Sequence, residues 1–101
     1  MTVSTDFVLP PVTLRIGSEA RSTGGGTHTH INPATGEAQA QVPLASAADI
    51  DDAVNAAHAA FAVWRATPAG TRAKALLKLA QLVEDRTEDF VNLAIADNGI
   101  A

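Results

Sequence analysis

Cysteine and tyrosine are absent from the 101 residues, which carry one tryptophan, one methionine and three phenylalanines. Without cysteine these residues hold no disulfide framework, no thiolate metal site and no cysteine nucleophile. The shortage of aromatics thins the core. Hydrophobic residues make up 47% of the chain, but alanine supplies much of that figure. A buried Leu or Phe contributes about 1.5–3 kcal/mol by transfer, and alanine offers far less area. A single domain of this length buries roughly 60–65% of its unfolded surface, so added partner surface or added chain would help it fold. Positive charge is short as well, with Lys+Arg 7 against Asp+Glu 11 and a net charge of −4. No basic stripe is present to displace counterions from phosphates, which sets nucleic acid aside as a partner. No apolar run approaches the roughly 20 residues that span a bilayer, so no membrane partner is expected. The opening MTVSTDFVLPPVTL lacks a basic stretch followed by an apolar one, and the expected location is a reducing cytoplasm.

What is there divides into three segments. Residues 1–12 read as a flexible N-terminal tail stopped by Pro10 and Pro11. Residues 13–45 read as a strand and a β-hairpin. Val12 to Ile16 alternates apolar and polar with the period of a half-buried strand, and Gly17-Ser18 ends it. Glu19 to Gly26 is polar and glycine-rich, as in a mobile connection. Extended chain returns at Thr27–Ile31. In Asn32-Pro33-Ala34-Thr35-Gly36, Asn and Pro suit the first two positions of a type I turn. Gly36 can take the positive φ that closes a bulged hairpin, and Glu37–Val42 alternates again until Pro43.

From Ser46 the period lengthens, and residues 46–101 read as three helices. Ser46 is suited to an N-cap, with Asp49, Asp51 and Asp52 at the positive end of the helix dipole. Ile50, Val54, Ala57, Phe61 and Trp64 form one apolar stripe. Thr67-Pro68 predicts a second helix start with Thr as cap and Pro at the first helical position. Leu76, Leu77, Leu79, Leu82 and Val83 give that helix a wide apolar face. Thr87 predicts a third cap, and Asn98-Gly99 a stop. The expected fold class is therefore a small α+β unit, a strand plus hairpin followed by three helices.

No residue pattern nominates an active site. Gly24-Gly25-Gly26 has no helix directly after it, as a phosphate cradle requires, and reads as a connection. His28 and His30 share a strand face, but a zinc site needs at least three protein ligands, and the third histidine, His58, sits mid-helix. Glu84, Asp85, Glu88 and Asp89 cluster at a helix junction, where solvation and capping account for them without acid–base chemistry. No G-x-S-x-G elbow occurs.

The order of elements nevertheless resembles a known family. LRIGSEA (14–20), NPATGE (32–37), the AV-x(6)-F-x-x-W spacing ending at Trp64 and the TP-x(3)-R start of the second helix occur together and in sequence. Together they resemble the N-terminal region of NAD(P)-dependent aldehyde dehydrogenases. The resemblance implies the N-terminal part of an α/β coenzyme-binding domain in an enzyme several times longer, and homo-oligomers of that enzyme. Its chemistry is oxidation of an aldehyde to a carboxylic acid with NAD or NADP. The catalytic Cys, Glu and Asn of the family lie in later segments, so neither catalytic nor cofactor-binding residues are assigned here. The expectation is a fragment inactive alone. Its partner would be the remainder of such a chain or another apolar surface, and the alternative is a free-standing helical interaction module. The resemblance further implies a monovalent cation held by the backbone carbonyls of His30 and Ile31 and by Asp97. Two departures stand out: Ala20 replaces a Trp common in relatives, and Ile100 a Lys.

Overall fold

Gly17 adopts φ 62°, a conformation open to glycine without a Cβ penalty. There the chain folds back, so that Leu14–Ile16 (β1) pairs antiparallel with Glu19–Arg21 (β2), Leu14 opposite Arg21. The computed structural model describes residues 9–22 and 24–99. Of the segment expected as a tail, residues 1–8 lie outside these, and residues 9–13 carry no regular element. The first strand is shorter than its alternation predicts. The stretch Glu19 to Gly26, expected as a connection, begins with a strand instead. Its three residues are too few and too polar to show a period, and only the pairing with β1 holds them extended.

A second, separate hairpin joins Thr27–Ile31 (β3) to Ala38–Pro43 (β4), antiparallel, with Thr27 opposite Pro43. Its turn works as the residue types predict. The Asn32 side-chain oxygen accepts from the Ala34 and Thr35 amides at 2.8 and 3.2 Å. The Gly36 amide donates to the Asn32 carbonyl at 2.8 Å, and Gly36 takes φ 74°. The register shifts at His30/Ile31: His30 lies opposite Ala40 and Ile31 opposite Ala38. Gln39 is therefore the extra residue of a β-bulge, without an opposite number.

Three helices follow, Ala47–Ala66 (α1), Ala69–Asp85 (α2) and Thr87–Asn98 (α3). Ser46 and Asp49 form a reciprocal capping box at the start of α1, and Gly99 ends α3 in the left-handed conformation at φ 69°. The two threonines expected as N-caps do something else. The Thr67 hydroxyl donates back to the Val63 carbonyl at 2.8 Å, closing α1. The Thr87 hydroxyl donates to the Glu84 carbonyl at 2.7 Å, and neither α2 nor α3 has a side-chain cap. Between helices almost end to end, the last carbonyls of the first helix take the hydroxyl before the next helix can use it.

α1 lies against β1, and α3 against α2. The result is thin: the extents are 48 × 34 × 17 Å and the radius of gyration is 17.2 Å. A compact chain of this length would have a radius near 13 Å. Among the described residues Ala96 is the single buried hydrophobic one, while Phe61, Leu76 and Leu77 are 56, 59 and 70% exposed. The apolar stripes of the helices exist as the periodicity predicts, but they face outward. No helix is long and apolar enough to cross a membrane among the described residues.

Candidate functional site

The bulge at Gln39 builds the first polar junction. By breaking the alternation of β4, it sends the Gln39 side chain across to the end of α3, where its amide nitrogen donates to the Ala96 carbonyl at 2.8 Å. The same nitrogen lies 2.8 Å from His30 Nδ1, and the Asn32 side-chain Nδ2 donates to Gln39 Oε1 at 3.0 Å. On its far side the His30 ring places Nε2 3.1 Å from Asp97 Oδ1. Hairpin and α3 are thus joined by a chain of four side chains and one carbonyl. A groove of ≈ 410 Å³ opens beside it, lined by Val12, Val42, Phe90 and Leu93, with His30 and Asp97 in its wall.

Two of the three residues expected at a cation, His30 and Asp97, are brought together here by their side chains. Ile31 follows in the same strand, its side chain 49% exposed. The Asp97 side chain is 64% exposed and its Oδ1 faces the imidazole. The two side chains form a hydrogen-bonded pair. His28 is exposed one strand pair away and His58 lies on α1. No cluster of three or more His, Cys, Asp or Glu able to hold a metal occurs among the described residues. The acids at the α2–α3 junction are exposed, with Asp85 accepting from Gln81 at 2.8 Å.

A second cluster surrounds the start of α1. Asp49, only 8% exposed, accepts through Oδ2 from the Ser46 amide and hydroxyl, both at 2.9 Å, and from the Gly24 amide at 3.4 Å. Arg21 reaches Asp52 at 2.7 Å and Asp49 at 3.8 Å. The Ser46 amide, the Ser46 hydroxyl and then the Gly24 amide hold the Asp49 carboxyl below its ordinary range, against the opposing effect of its burial. The Asp52 carboxylate holds the Arg21 guanidinium above its own. The glycine run therefore does lie beside a helix N-terminus, but that terminus belongs to α1, some twenty residues on, and its anion is the protein's own Asp49. Gln39 and Arg21 escape a reading of sequence alone. Their partners are 57 and 31 residues away, and no local pattern encodes either contact.

Neither cluster by itself names a reaction, so the decisive observation is the match to known proteins. Residues 20–101 match the aldehyde dehydrogenase family. The chain belongs to that family. It is 42% identical over 83 residues to malonate-semialdehyde dehydrogenase 2 of Geobacillus kaustophilus, covering 82% of this chain and 17% of that enzyme. Malonate-semialdehyde dehydrogenase of Halalkalibacterium halodurans is 40% identical over 83 residues, again 82% of this chain and 17% of the relative. For malonate-semialdehyde dehydrogenase 3 of Bacillus cereus the figures are 47% over 68 residues, 67% of this chain and 14% of the relative. This aldehyde dehydrogenase sequence thus spans about a sixth of the length of the relatives it matches, and the resemblance carried by NPATGE and Trp64 is borne out.

Proposed function

We propose that this chain serves as the non-catalytic N-terminal part of the coenzyme-binding domain of an NAD(P)-dependent aldehyde dehydrogenase. The enzyme so formed oxidises an aldehyde to a carboxylic acid in the cytoplasm, as a homo-oligomer. The names of the relatives favour a short aldehyde carrying a carboxylate as its substrate class. The observation that carries the reading is the outward-facing apolar surface of α1 and α2 in a chain of this family. Phe61, Val63, Leu76 and Leu79 are 56, 71, 59 and 57% exposed, more apolar surface than an isolated helix pair keeps in water.

The sequence holds no cysteine, so the thiohemiacetal step of the family has no nucleophile within it. The purified chain, given an aldehyde and NAD or NADP, is expected to form no NAD(P)H. Residues 20–101 grafted in place of the matching segment of the Geobacillus kaustophilus enzyme should return a soluble, active dehydrogenase. Turnover by the chain alone would overturn the reading, as would a graft that fails to assemble while the parent enzyme does.

A further inference from the structure

Four asparagines stand in the chain, and the residue after each decides how readily its side-chain amide is lost. The nucleophile for that loss is the backbone nitrogen of the next residue. Asn32 precedes Pro33, whose nitrogen carries no hydrogen to give up. Asn55 and Asn92 lie inside α1 and α3, before Ala56 and Leu93, whose side chains crowd the nitrogen. Asn98 precedes Gly99, which has no Cβ to hinder attack, and both residues are exposed. We infer that Asn98–Gly99 is a site of spontaneous hydrolytic deamidation, held closed by the C-cap of α3 and released when that last turn opens. The site is independent of the dehydrogenase reading.

Water is the only co-reactant. The Gly99 nitrogen, having lost its proton to solvent, attacks Asn98 Cγ. The Cγ–Nδ2 bond breaks and the departing nitrogen takes a proton from water to leave as ammonia. A five-membered succinimide remains. Water then adds to one of its two carbonyls and opens the ring. Opening at the Cγ–N bond gives aspartate. Opening at the backbone carbonyl gives isoaspartate, with the main chain routed through the former side chain.

In the folded chain both reacting groups are held elsewhere. The Gly99 amide donates to the Ile95 carbonyl at 2.8 Å, so its proton is engaged. Asn98 Nδ2 donates to the Ala94 carbonyl at 3.3 Å, which holds the leaving group against the preceding turn. Gly99 is itself confined: its φ is 69°, and a Cβ built on it would lie 3.0 Å from Pro33 Cγ. The cap of α3 is thus seated against the Asn32–Gly36 turn. Both hydrogen bonds belong to a helix end, where local opening costs least. Either product would loosen that seat. A carboxylate would replace a donor at the C-terminal end of α3, where the helix carbonyls and Asp97 already present negative charge. Isoaspartate would also lengthen the main chain before Gly99 and shift it off Pro33.

The test incubates the full 101-residue chain at mildly alkaline pH, folded in buffer and unfolded in guanidinium chloride. Peptide mapping by mass spectrometry follows each asparagine, and an isoaspartate methyltransferase counts the isoaspartate. In denaturant Asn98 should convert first among the four asparagines, to both products. In buffer it should convert at least about tenfold more slowly. Gly99→Ala should slow the reaction in denaturant yet narrow the difference between the two conditions, because the added methyl strains the cap and meets Pro33. Asn98→Asp, which installs one product, should lower the thermal midpoint by roughly 2–5 °C. Equal rates in buffer and denaturant would overturn the gating, including in a chain that shows no cooperative transition. Faster conversion at Asn55 or Asn92 in denaturant would overturn the site. An Asn98→Asp chain as stable as the parent would overturn the loosening of the cap. If Gly99→Ala does not fold, the two wild-type rates still decide.

Discussion

Ser46 and Asp49 cap one another: the Asp49 amide donates to Ser46 Oγ at 3.2 Å, and the Ser46 amide donates to Asp49 Oδ2 at 2.9 Å. Because the same carboxylate takes the Gly24 amide and stands near Arg21, the cap also locks β2 and the glycine run to α1. Asp49 is held below its ordinary value of 3.8, first by the Ser46 amide and then by the Ser46 hydroxyl. A carboxyl depressed on folding contributes stability that is present above its unfolded value and lost as pH falls through its folded one. Acid unfolding should therefore begin as pH drops through the carboxylate range. Asp49→Asn should be less stable at neutral pH and should flatten that part of the pH profile, followed by circular dichroism. Ser46→Ala should cost about 1 kcal/mol in urea denaturation.

The first two glycines of the run are predicted to behave differently. A Cβ on Gly25 would run into the Leu44 carbonyl oxygen and come within 2.9 Å of the Ala45 backbone, which cannot give way. On Gly24 the nearest atom would be Ser46 Oγ at 3.5 Å, an ordinary contact. Gly25→Ala should therefore destabilise by about 1–3 kcal/mol, the scale of overpacking. Gly24→Ala should lie within about 0.5 kcal/mol of the parent. Equal effects from the two, measured by urea denaturation, would contradict the packing of this run on the segment before α1.

What could be read from the sequence follows the reach of each interaction. The β3–β4 hairpin was legible because Asn32, Pro33 and Gly36 encode its turn within five residues. The stripe Ile50, Val54, Phe61, Trp64 was legible because helical periodicity is local. β2 was not: Glu19-Ala20-Arg21 has no pattern of its own and owes its conformation to Leu14 and Ile16 across the turn at Gly17. Thr67 and Thr87 each stand between two helices, and their residue type suits an N-cap as well as a back-bond to the preceding turn. At the junction with α3, His30 and Asp97 were named through the family resemblance, not through any spacing. Gln39 could not be named. In the alternation of Gln39 and Gln41 it looks like any polar residue on a solvent face, until the bulge turns it toward Ala96.

Trp64, the single tryptophan, reports on the α1 face directly. It is 41% exposed and stands with Phe61 and Val63 at the end of α1, while Arg65 stacks over the Phe61 ring at 5.9 Å. In the isolated chain its fluorescence should be red-shifted and readily quenched by acrylamide, as for an indole in contact with water. In the graft, with the other tryptophans of that enzyme replaced, emission should move to the blue and quenching should fall severalfold. Burying such a ring at an interface contributes on the scale of 2 kcal/mol or more, roughly a thirtyfold change in an equilibrium constant. Trp64→Ala should accordingly leave the chain's own unfolding midpoint little changed while weakening assembly of the graft. A tryptophan equally shielded in both settings would mean that this face is already covered, and that the helices need no partner.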